Sequence, residues 1–244
     1  MRAPVGHISA PPFPRNLPWL GGAPEGFPML LEFWDFCRVQ SIRTLPYMKA
    51  WQERYPGLTV VGVHAAGFAP SADPEAVEAS VGRLEIPYPV AIDTEYEVWE
   101  LYGNLGWPAR YLFDAGGMLV HYHYGEGAYD ETERAIQEVL GIDRPIVTPF
   151  RIEEAPDAVL DPQTDDVEGA HSGPYQAGGV WAVLDGHGTV TANGRAVTVQ
   201  RPGCYELIAH ERSTAGELEL EIGDGVRCHA VCFTPGLASA SPRS

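Results

Sequence analysis

The chain has 244 residues, 45% of them hydrophobic, and a formal net charge of −17. This length suffices for two domains of roughly 100 to 150 residues each. The negative charge argues against nucleic acid and anionic membrane surfaces as partners, because both are bound mainly through Lys and Arg. The sequence shows no apolar run of the roughly 18 residues that a membrane span needs, and no apolar signal segment near its start. Its four cysteines are too few for a disulfide scaffold, which favours a cytoplasmic protein with reduced thiols.

The first part of the chain predicts an α/β domain behind an extended segment. Residues 1–28 are rich in proline and glycine and predict an extended lead-in. Hydrophobic periodicity then predicts, in chain order, a strand at 29–36, a helix at 42–55, a strand at 58–65, a helix opened by Asp73 and Pro74 and running to about Leu84, a strand at 88–93, a helix at 96–102, a hairpin at 109–114 and 118–124, and a helix at 129–140 ended by Gly141. Helix-linked strands pair in parallel, and a hairpin adds an antiparallel edge. Residues 29–144 therefore predict a mixed sheet with helices on both faces.

The pattern changes after residue 144. Residues 145–177 are acidic and contain several prolines, which predicts a linker or a docked arm. Residues 178–236 form short alternating runs punctuated by glycine and Asn-Gly, the pattern of a small all-β sandwich. Residues 237–244 predict a frayed tail.

The most specific pattern lies at residues 30–51, which read LLEFWDFCRVQSIRTLPYMKAW. This segment resembles the active-site segment of TlpA-type thioredoxin-like proteins, and in particular the C-terminal thioredoxin-like domain of DipZ-type proteins. Those proteins typically carry Phe-Trp, three further residues, Cys-x-x-Cys and then Leu-Arg-Thr-Leu-Pro-Tyr. Residues 33–34 and 42–47 match that pattern without a gap. The resemblance therefore implies that the two cysteine positions are occupied by Arg38 and Ser41.

Two spacings agree with this register. The kinking proline of the family lies eight residues after the first active-site position, and Pro46 lies eight after Arg38. The buried acid of thioredoxins lies six residues before that position, and Glu32 lies six before Arg38. The likeness extends over residues 12–140.

Further matches lie along the chain. Trp107-Pro108 coincides with the cis-proline of the family, so we predict a cis peptide bond there. The stretch GVHAAGF at 62–68 resembles a Gly-Val-His segment of the family, but Gly67 stands where that segment usually has a glutamate. The β-rich tail resembles the small sandwich that follows this domain in DipZ-type proteins. The resemblance implies a thioredoxin-like fold but does not carry the dithiol activity over, because the reacting residues are absent.

One thiol remains close to the motif. Dithiol exchange needs an attacking thiolate and a resolving thiol, which Arg38 and Ser41 do not supply. Cys37 lies at a predicted helix start beside Arg38, and both features favour a thiolate. The first hypothesis is therefore a TlpA-like redox protein, a one-cysteine thiol oxidoreductase or peroxidase. Cys37 would react with peroxide or with a protein thiol or disulfide, and Arg38 and Glu32 would tune it.

Each of these residues also has a structural interpretation. Cys37 could simply pack in the core. Glu32 could carry protons for Cys37, or could be a structural acid paired with a donor such as an arginine. The second hypothesis is a catalytically silent thioredoxin fold that binds a peptide or protein through Trp34, Trp107 and Pro108. An exposed Cys37 would favour the enzyme, and a buried one the binding module.

Several histidines, cysteines and aromatic residues give weaker signals of a site. His64, His121 and His123 could bind Zn²⁺, but no carboxylate or thiol is placed to complete the set, so neither a metal nor another cofactor is predicted. Cys228 and Cys232 are too far apart along one strand to bridge each other, although either could meet Cys204 from a neighbouring strand. Buried thiols are the favoured interpretation. Two aromatic residues of the predicted sandwich could line a carbohydrate groove, but core packing is favoured for both of them: Trp181 and Tyr205.

Overall fold

The computed structural model describes residues 8–238 and divides the chain into two compact units, Met1–Thr148 and Pro149–Ser244. The predicted lead-in at 1–28 and the predicted tail at 237–244 fall partly outside the described residues. No helix in the described part of the chain has both the length and the apolar character needed to cross a membrane.

The first unit is built on one mixed sheet. Its strands are β1 (Trp19–Leu20), β2 (Met29–Trp34), β3 (Thr59–His64), β4 (Val90–Ile92), β5 (Ala109–Phe113) and β6 (Leu119–Tyr124). Its α-helices are α1 (Val39–Arg54), α2 (Pro74–Arg83), α3 (Glu97–Leu101) and α4 (Tyr129–Leu140), with a 3₁₀ turn at Ala69–Ser71. The strand order is β1-β4-β3-β2-β5-β6. Strands β2, β3 and β4 are parallel, whereas β1, β5 and β6 run antiparallel to their neighbours, so the predicted mixed α/β sheet is confirmed.

Two helix ends lie at the capping residues that the sequence predicts. Asp73 caps α2 by accepting a hydrogen bond from the backbone N–H of Glu75 at 3.1 Å, and Gly141 ends α4 with a left-handed φ of 65°, as predicted. Helix α1 begins at Val39, earlier than predicted, because its N-cap Arg38 makes no side-chain capping bond that would mark the start. Strand β1 lies inside the predicted lead-in and is too short to carry a period-two pattern.

The two faces of the sheet have different neighbours. Glu32 and Arg110 are register partners on β2 and β5, so their side chains share a face. The Arg110 guanidinium lies over Trp51 of α1 and Tyr129 of α4, so these two helices cover that face. The opposite face is packed with apolar and aromatic side chains, together with α3 and the lead-in: Leu31, Phe33, Val61, Val63, Tyr111, Phe113, Val98, Trp99, Phe13 and Trp19.

The second unit is all-β, as predicted. Its strands are β7 (Leu160–Asp161), β8 (Val167–Glu168), β9 (Gly173–Gly186), β10 (Gly188–Ala192), β11 (Arg195–Val199), β12 (Gly203–Leu218), β13 (Leu220–Ile222), β14 (Val226–Thr234) and β15 (Gly236–Leu237). They form sheets ordered β12-β9-β14-β8, β11-β10-β13 and β15-β7, and the first two enclose one apolar core. The segment 145–177, predicted as a linker, supplies β7, β8 and the start of β9, because two-residue strands are too short to show a pattern.

All four cysteines are thiols. Strand β9 lies between β12 and β14, so Cys204 is not on a strand next to Cys228 or Cys232. Burial raises the pKa of the Cys228 thiol to about 11. The three cysteines of this unit therefore do not meet across neighbouring strands.

Candidate functional site

The turn between β2 and α1 is organised by a buried carboxylate, Asp35. Its two oxygens accept hydrogen bonds at 2.8 Å from the backbone N–H groups of Cys37 and Gly67, and its own N–H donates to the hydroxyl of Ser41 at 3.2 Å. The same carboxylate lies 3.6 Å from the His64 ring nitrogen. Asp35 thus ties the start of α1 to the loop after β3. Sequence reasoning missed this role, although an Asp two residues before a turn is a known signal for such bonds.

Cys37 lies inside the protein. Its exposed fraction is 0%. Helix α1 begins at Val39 with Arg38 as N-cap, which leaves Cys37 ahead of the helix and turned into the core. Ser41, in the first helical turn, is also fully buried and accepts the Asp35 bond. Neither side chain reaches solvent in this structure.

Arg38 occupies the surface above these two residues. Its guanidinium carbon lies 4.4 Å from the ring centroid of Trp107 and 5.0 Å from that of Phe68, distances typical of cation–π contacts. The side chain is half-buried, and its Nε atom has no hydrogen-bond partner among residues 8–238. We call Arg38, Phe68 and Trp107 the Arg38 surface.

Gly67 makes the position of Arg38 possible. A Cβ atom at Gly67 would lie 2.4 Å from the Arg38 Nε and 2.8 Å from its Nη2. No side chain longer than hydrogen fits at residue 67 while the guanidinium lies between the two rings. The arginine at 38 and the glycine at 67 are therefore two parts of one arrangement.

Trp107 is held from two sides. Its indole N–H donates to the carbonyl of Ala65 at 2.9 Å, and its ring lies 4.3 Å from that of Trp99. The Trp107-Pro108 peptide bond is cis, as predicted. Pro108 itself is buried, and its carbonyl accepts from the N–H of Gly125 at 2.7 Å. Within residues 8–238, no hydrogen bond uses the backbone N–H or C=O of Trp107.

Glu32 lies deep under α1, with its two carboxyl oxygens lacking hydrogen-bond partners among the described residues. Burial raises its pKa to about 8, and the positive charge of Arg110 limits the rise. Tyr88 shares this environment, and burial together with Glu32 raises the pKa of its hydroxyl well above the usual value. At neutral pH Glu32 is thus mainly a neutral acid that faces an arginine. The interpretation of Glu32 as a structural acid predicts a hydrogen bond to a donor such as that arginine, and no such bond is present among the described residues.

Trp34 does not reach the surface. Its ring is fully buried and packs edge-to-face on His64 with the ring centroids 5.1 Å apart. The structure thus brings Arg38 and Trp107 together at the surface, with Cys37 and Ser41 buried below. Trp34 is left in the core.

The other histidines have ordinary partners. His121 Nε2 lies 3.3 Å from the Thr132 hydroxyl, and His123 Nε2 lies 3.2 Å from the carbonyl of Glu126. Burial and the nearby Arg110 lower the pKa of His123. In the described range, no three His, Cys, Asp or Glu side chains are grouped so that they could hold a metal ion.

Comparison with known proteins adds to this geometry. No protein-family model matches the chain. Protein DipZ of Mycobacterium tuberculosis is 36% identical over 123 residues, which are 50% of this chain and 18% of DipZ. The thiol-disulfide oxidoreductase YkuV of Bacillus subtilis is 25% identical over 114 residues, 46% of this chain and 77% of YkuV. A crystal structure of a thioredoxin-like superfamily protein superposes with a TM-score of 0.50 at 20% identity, covering 57% of this chain and 99% of that one. The chain contains a thioredoxin-like domain of the TlpA/DipZ type.

This TlpA/DipZ-type domain has the fold of thiol-disulfide oxidoreductases, followed by an all-β unit. Cys37 is the only cysteine in the first unit, so the domain holds no pair of cysteines. Because the chain spans less than a fifth of the DipZ length, what the whole of DipZ does is not transferred to it.

Proposed function

We propose that the thioredoxin-like domain is a binding module that has lost dithiol exchange. It binds an extended peptide or protein segment at the Arg38 surface, and a carboxylate of that segment contacts Arg38. The proposal equates residues 38 and 41 with the two cysteine positions of dithiol relatives. At the position where a dithiol relative has the cysteine that attacks a disulfide, this chain then has the positively charged side chain of Arg38.

The burial of Cys37 carries this proposal. A thiol must be reached by peroxide or by another sulfur atom before it can react. Cys37 is 0% exposed, and its unit offers no second cysteine to resolve a mixed disulfide. These observations favour binding over one-cysteine redox chemistry.

The backbone of Trp107 supports a peptide ligand. Extended peptides add to exposed strand-like backbone through main-chain hydrogen bonds. Trp107 has both an N–H and a C=O that make no hydrogen bond within the described residues, and it lies against Arg38. A ligand strand would satisfy both groups.

The charge of the Arg38 surface supports an acidic ligand. Arg38 makes no ion pair with a described residue, and its guanidinium lies at the N-terminus of the 16-residue helix α1. Helix N-terminal N–H groups and an arginine both favour carboxylates. We therefore expect Asp, Glu or a chain terminus opposite Arg38.

Peptide selection tests the binding proposal. A phage-displayed random peptide library, panned on the full chain, should return sequences enriched in Asp and Glu. Arg38→Ala should weaken a selected peptide roughly tenfold or more, as expected for a charge-assisted hydrogen bond. Arg195→Ala, which removes an exposed arginine of the second unit, should leave its affinity unchanged. Selected peptides that bind Arg38→Ala as well as wild type would contradict the proposal.

Thiol reactivity tests the loss of redox chemistry. In the folded protein, limiting iodoacetamide should label the half-buried Cys204 before Cys37, and Cys228 slowly because its raised pKa leaves little thiolate. Mass spectrometry after mild peroxide with a sulfenic-acid trap should show no trapped adduct at Cys37. Rapid trapping at Cys37 in folded protein would restore the one-cysteine oxidoreductase hypothesis.

A further inference from the structure

A separate cavity of about 320 Å³ lies in the thioredoxin-like domain, over β5 and β6 on the sheet face opposite Glu32. This volume is at the lower end of the roughly 300–1,000 Å³ typical of small-molecule sites. Its walls are aliphatic and aromatic, and in the part of the chain that the structure describes no lining side chain is Asp, Glu, Lys, Arg or His. Two lining residues, Leu101 and Leu105, are 48% and 83% exposed, so an apolar surface continues from the cavity to solvent.

A chain of hydrogen bonds gives the cavity wall a defined polarity. Asn104 donates from Nδ2 to the carbonyl of Gly106 at 3.0 Å, so its Oδ1 is the atom that faces Tyr111. Tyr111 donates its only hydroxyl proton to that oxygen at 2.9 Å. The Tyr124 hydroxyl lies 2.8 Å from the Tyr111 oxygen and must therefore donate to it. The Tyr124 oxygen is left with lone pairs alone.

The hydroxyl proton of another lining tyrosine is also used in a hydrogen bond within the protein. Tyr102 donates to the carbonyl of Pro11 at 3.2 Å. Three lining tyrosines, Tyr102, Tyr111 and Tyr124, thus keep acceptor capacity but have no proton to give. A ligand that hydrogen-bonds to them must bring its own donor.

We propose that this cavity binds a small neutral molecule with one or two aromatic rings and a hydrogen-bond donor, such as a phenol. The rings fit apolar and aromatic walls, where edge-to-face packing adds to burial. The donor meets the hydroxyl oxygen of Tyr124, a residue that is 38% exposed. A neutral ligand is favoured over an anion, because the described walls offer no cation to pair with a carboxylate.

Two matched probes test the proposal on the full chain. 2-Naphthol carries the donor, and 2-methoxynaphthalene has the same rings without it. By calorimetry or ligand-detected NMR at pH 7, 2-naphthol should bind saturably and roughly three- to tenfold more tightly, the span expected for one neutral hydrogen bond. 2-Naphthoate should bind more weakly than either.

Variants locate the binding. Tyr124→Phe should lower the affinity for 2-naphthol to that for 2-methoxynaphthalene and leave the latter unchanged. Leu105→Asp should weaken both probes, whereas Val159→Asp, at a 71% exposed position in the second unit, should weaken neither. Absence of saturable binding, equal affinities for the two naphthalenes, or no effect of Tyr124→Phe would each overturn the proposal. Binding seen only after deletion of residues 1–7 would overturn it too, since the preceding segment would then be the occupant.

Discussion

Two arginines of the thioredoxin-like domain stack on aromatic rings in very different surroundings. Arg110 is fully buried, with its guanidinium carbon 4.9 Å from the Tyr129 ring centroid, and it faces Glu32 across β2 and β5. Arg38 is half-buried between Trp107 and Phe68, and no described carboxylate pairs with it. The first arginine is enclosed by the fold, whereas the second is partly exposed at the surface where we propose that a peptide binds.

The comparison separates two uses of the same contact. A buried cation must be compensated inside the protein, and Arg110 is compensated by the carbonyl of Gly127 and by the faces of Trp51 and Tyr129. A partly exposed cation is solvated and contributes little to stability, so the loss of Arg38 should affect the proposed peptide binding more than folding. Substitutions at the two positions should therefore differ in what they change.

The largest effect is expected at Arg110. Arg110→Ala removes a fully buried side chain that donates to the carbonyl of Gly127 and packs on two rings. We expect a loss of roughly 3 kcal/mol or more in the free energy of unfolding, measured in urea. Arg38→Ala should cost about 1 kcal/mol or less. Equal losses would show that the two arginines are not used differently.

The pH dependence of stability should reveal Glu32. The pKa of Glu32 is about 8 in the folded protein, above its usual 4.5. Between pH 4.5 and pH 8 the folded state therefore keeps a proton that the unfolded state has lost. Stability from this group is complete below pH 4.5, falls as the pH rises towards 8, and stays low above it. The slope should approach about 1.4 kcal/mol per pH unit at most.

Glu32→Gln isolates that contribution. The amide is neutral at every pH, so the difference in stability between the variant and wild type should move in favour of the variant from pH 5 to pH 9. Glu75→Gln, at an exposed glutamate in α2, is the control and should leave the slope unchanged. A wild-type slope that survives Glu32→Gln would mean that another group holds the proton.

The sequence was informative about the scaffold and less so about the site. Strand and helix periods predicted β2 to β6 and α4, and the segment 30–51 predicted a thioredoxin-like fold, because both signals are local or motif-based. The burial of Cys37 was not predictable, since it depends on where α1 starts, and Arg38 gives no capping signal there.

Contacts between distant residues were beyond sequence reasoning. Gly67 was noted only as a departure from the family pattern, and its meaning appears once Arg38 is seen to fill the space above it. The facing of Glu32 and Arg110 requires the register of β2 against β5, which a single sequence does not specify.

The smallest predicted effect concerns Gly67 and tests whether Arg38 holds its place between the rings. Gly67→Ala puts a Cβ 2.4 Å from the Arg38 Nε, and the flexible guanidinium should yield before the backbone does. The lost cation–π contact then costs about 0.5–1 kcal/mol, and restriction of the unfolded chain by alanine offsets about 0.4–1 kcal/mol, so the net change in stability should be close to zero. The Nε–H resonance of Arg38 should lose its ring-current shift, and affinity for a peptide selected as above should fall.

A double-mutant cycle makes this prediction sharp, because the net change in stability should turn from near zero to favourable. In an Arg38→Ala background the three atoms nearest to a Cβ at residue 67 are absent, and Gly67 does not have a positive φ. Alanine there should then stabilise the protein by about 0.4–1 kcal/mol, since it restricts the unfolded chain. Gly106→Ala is the matched control, because its Cβ meets nothing within 4 Å and its effect should be the same with and without Arg38. If Gly67→Ala has one effect in both backgrounds, the two residues are independent, and the Arg38 surface is not built by their pairing.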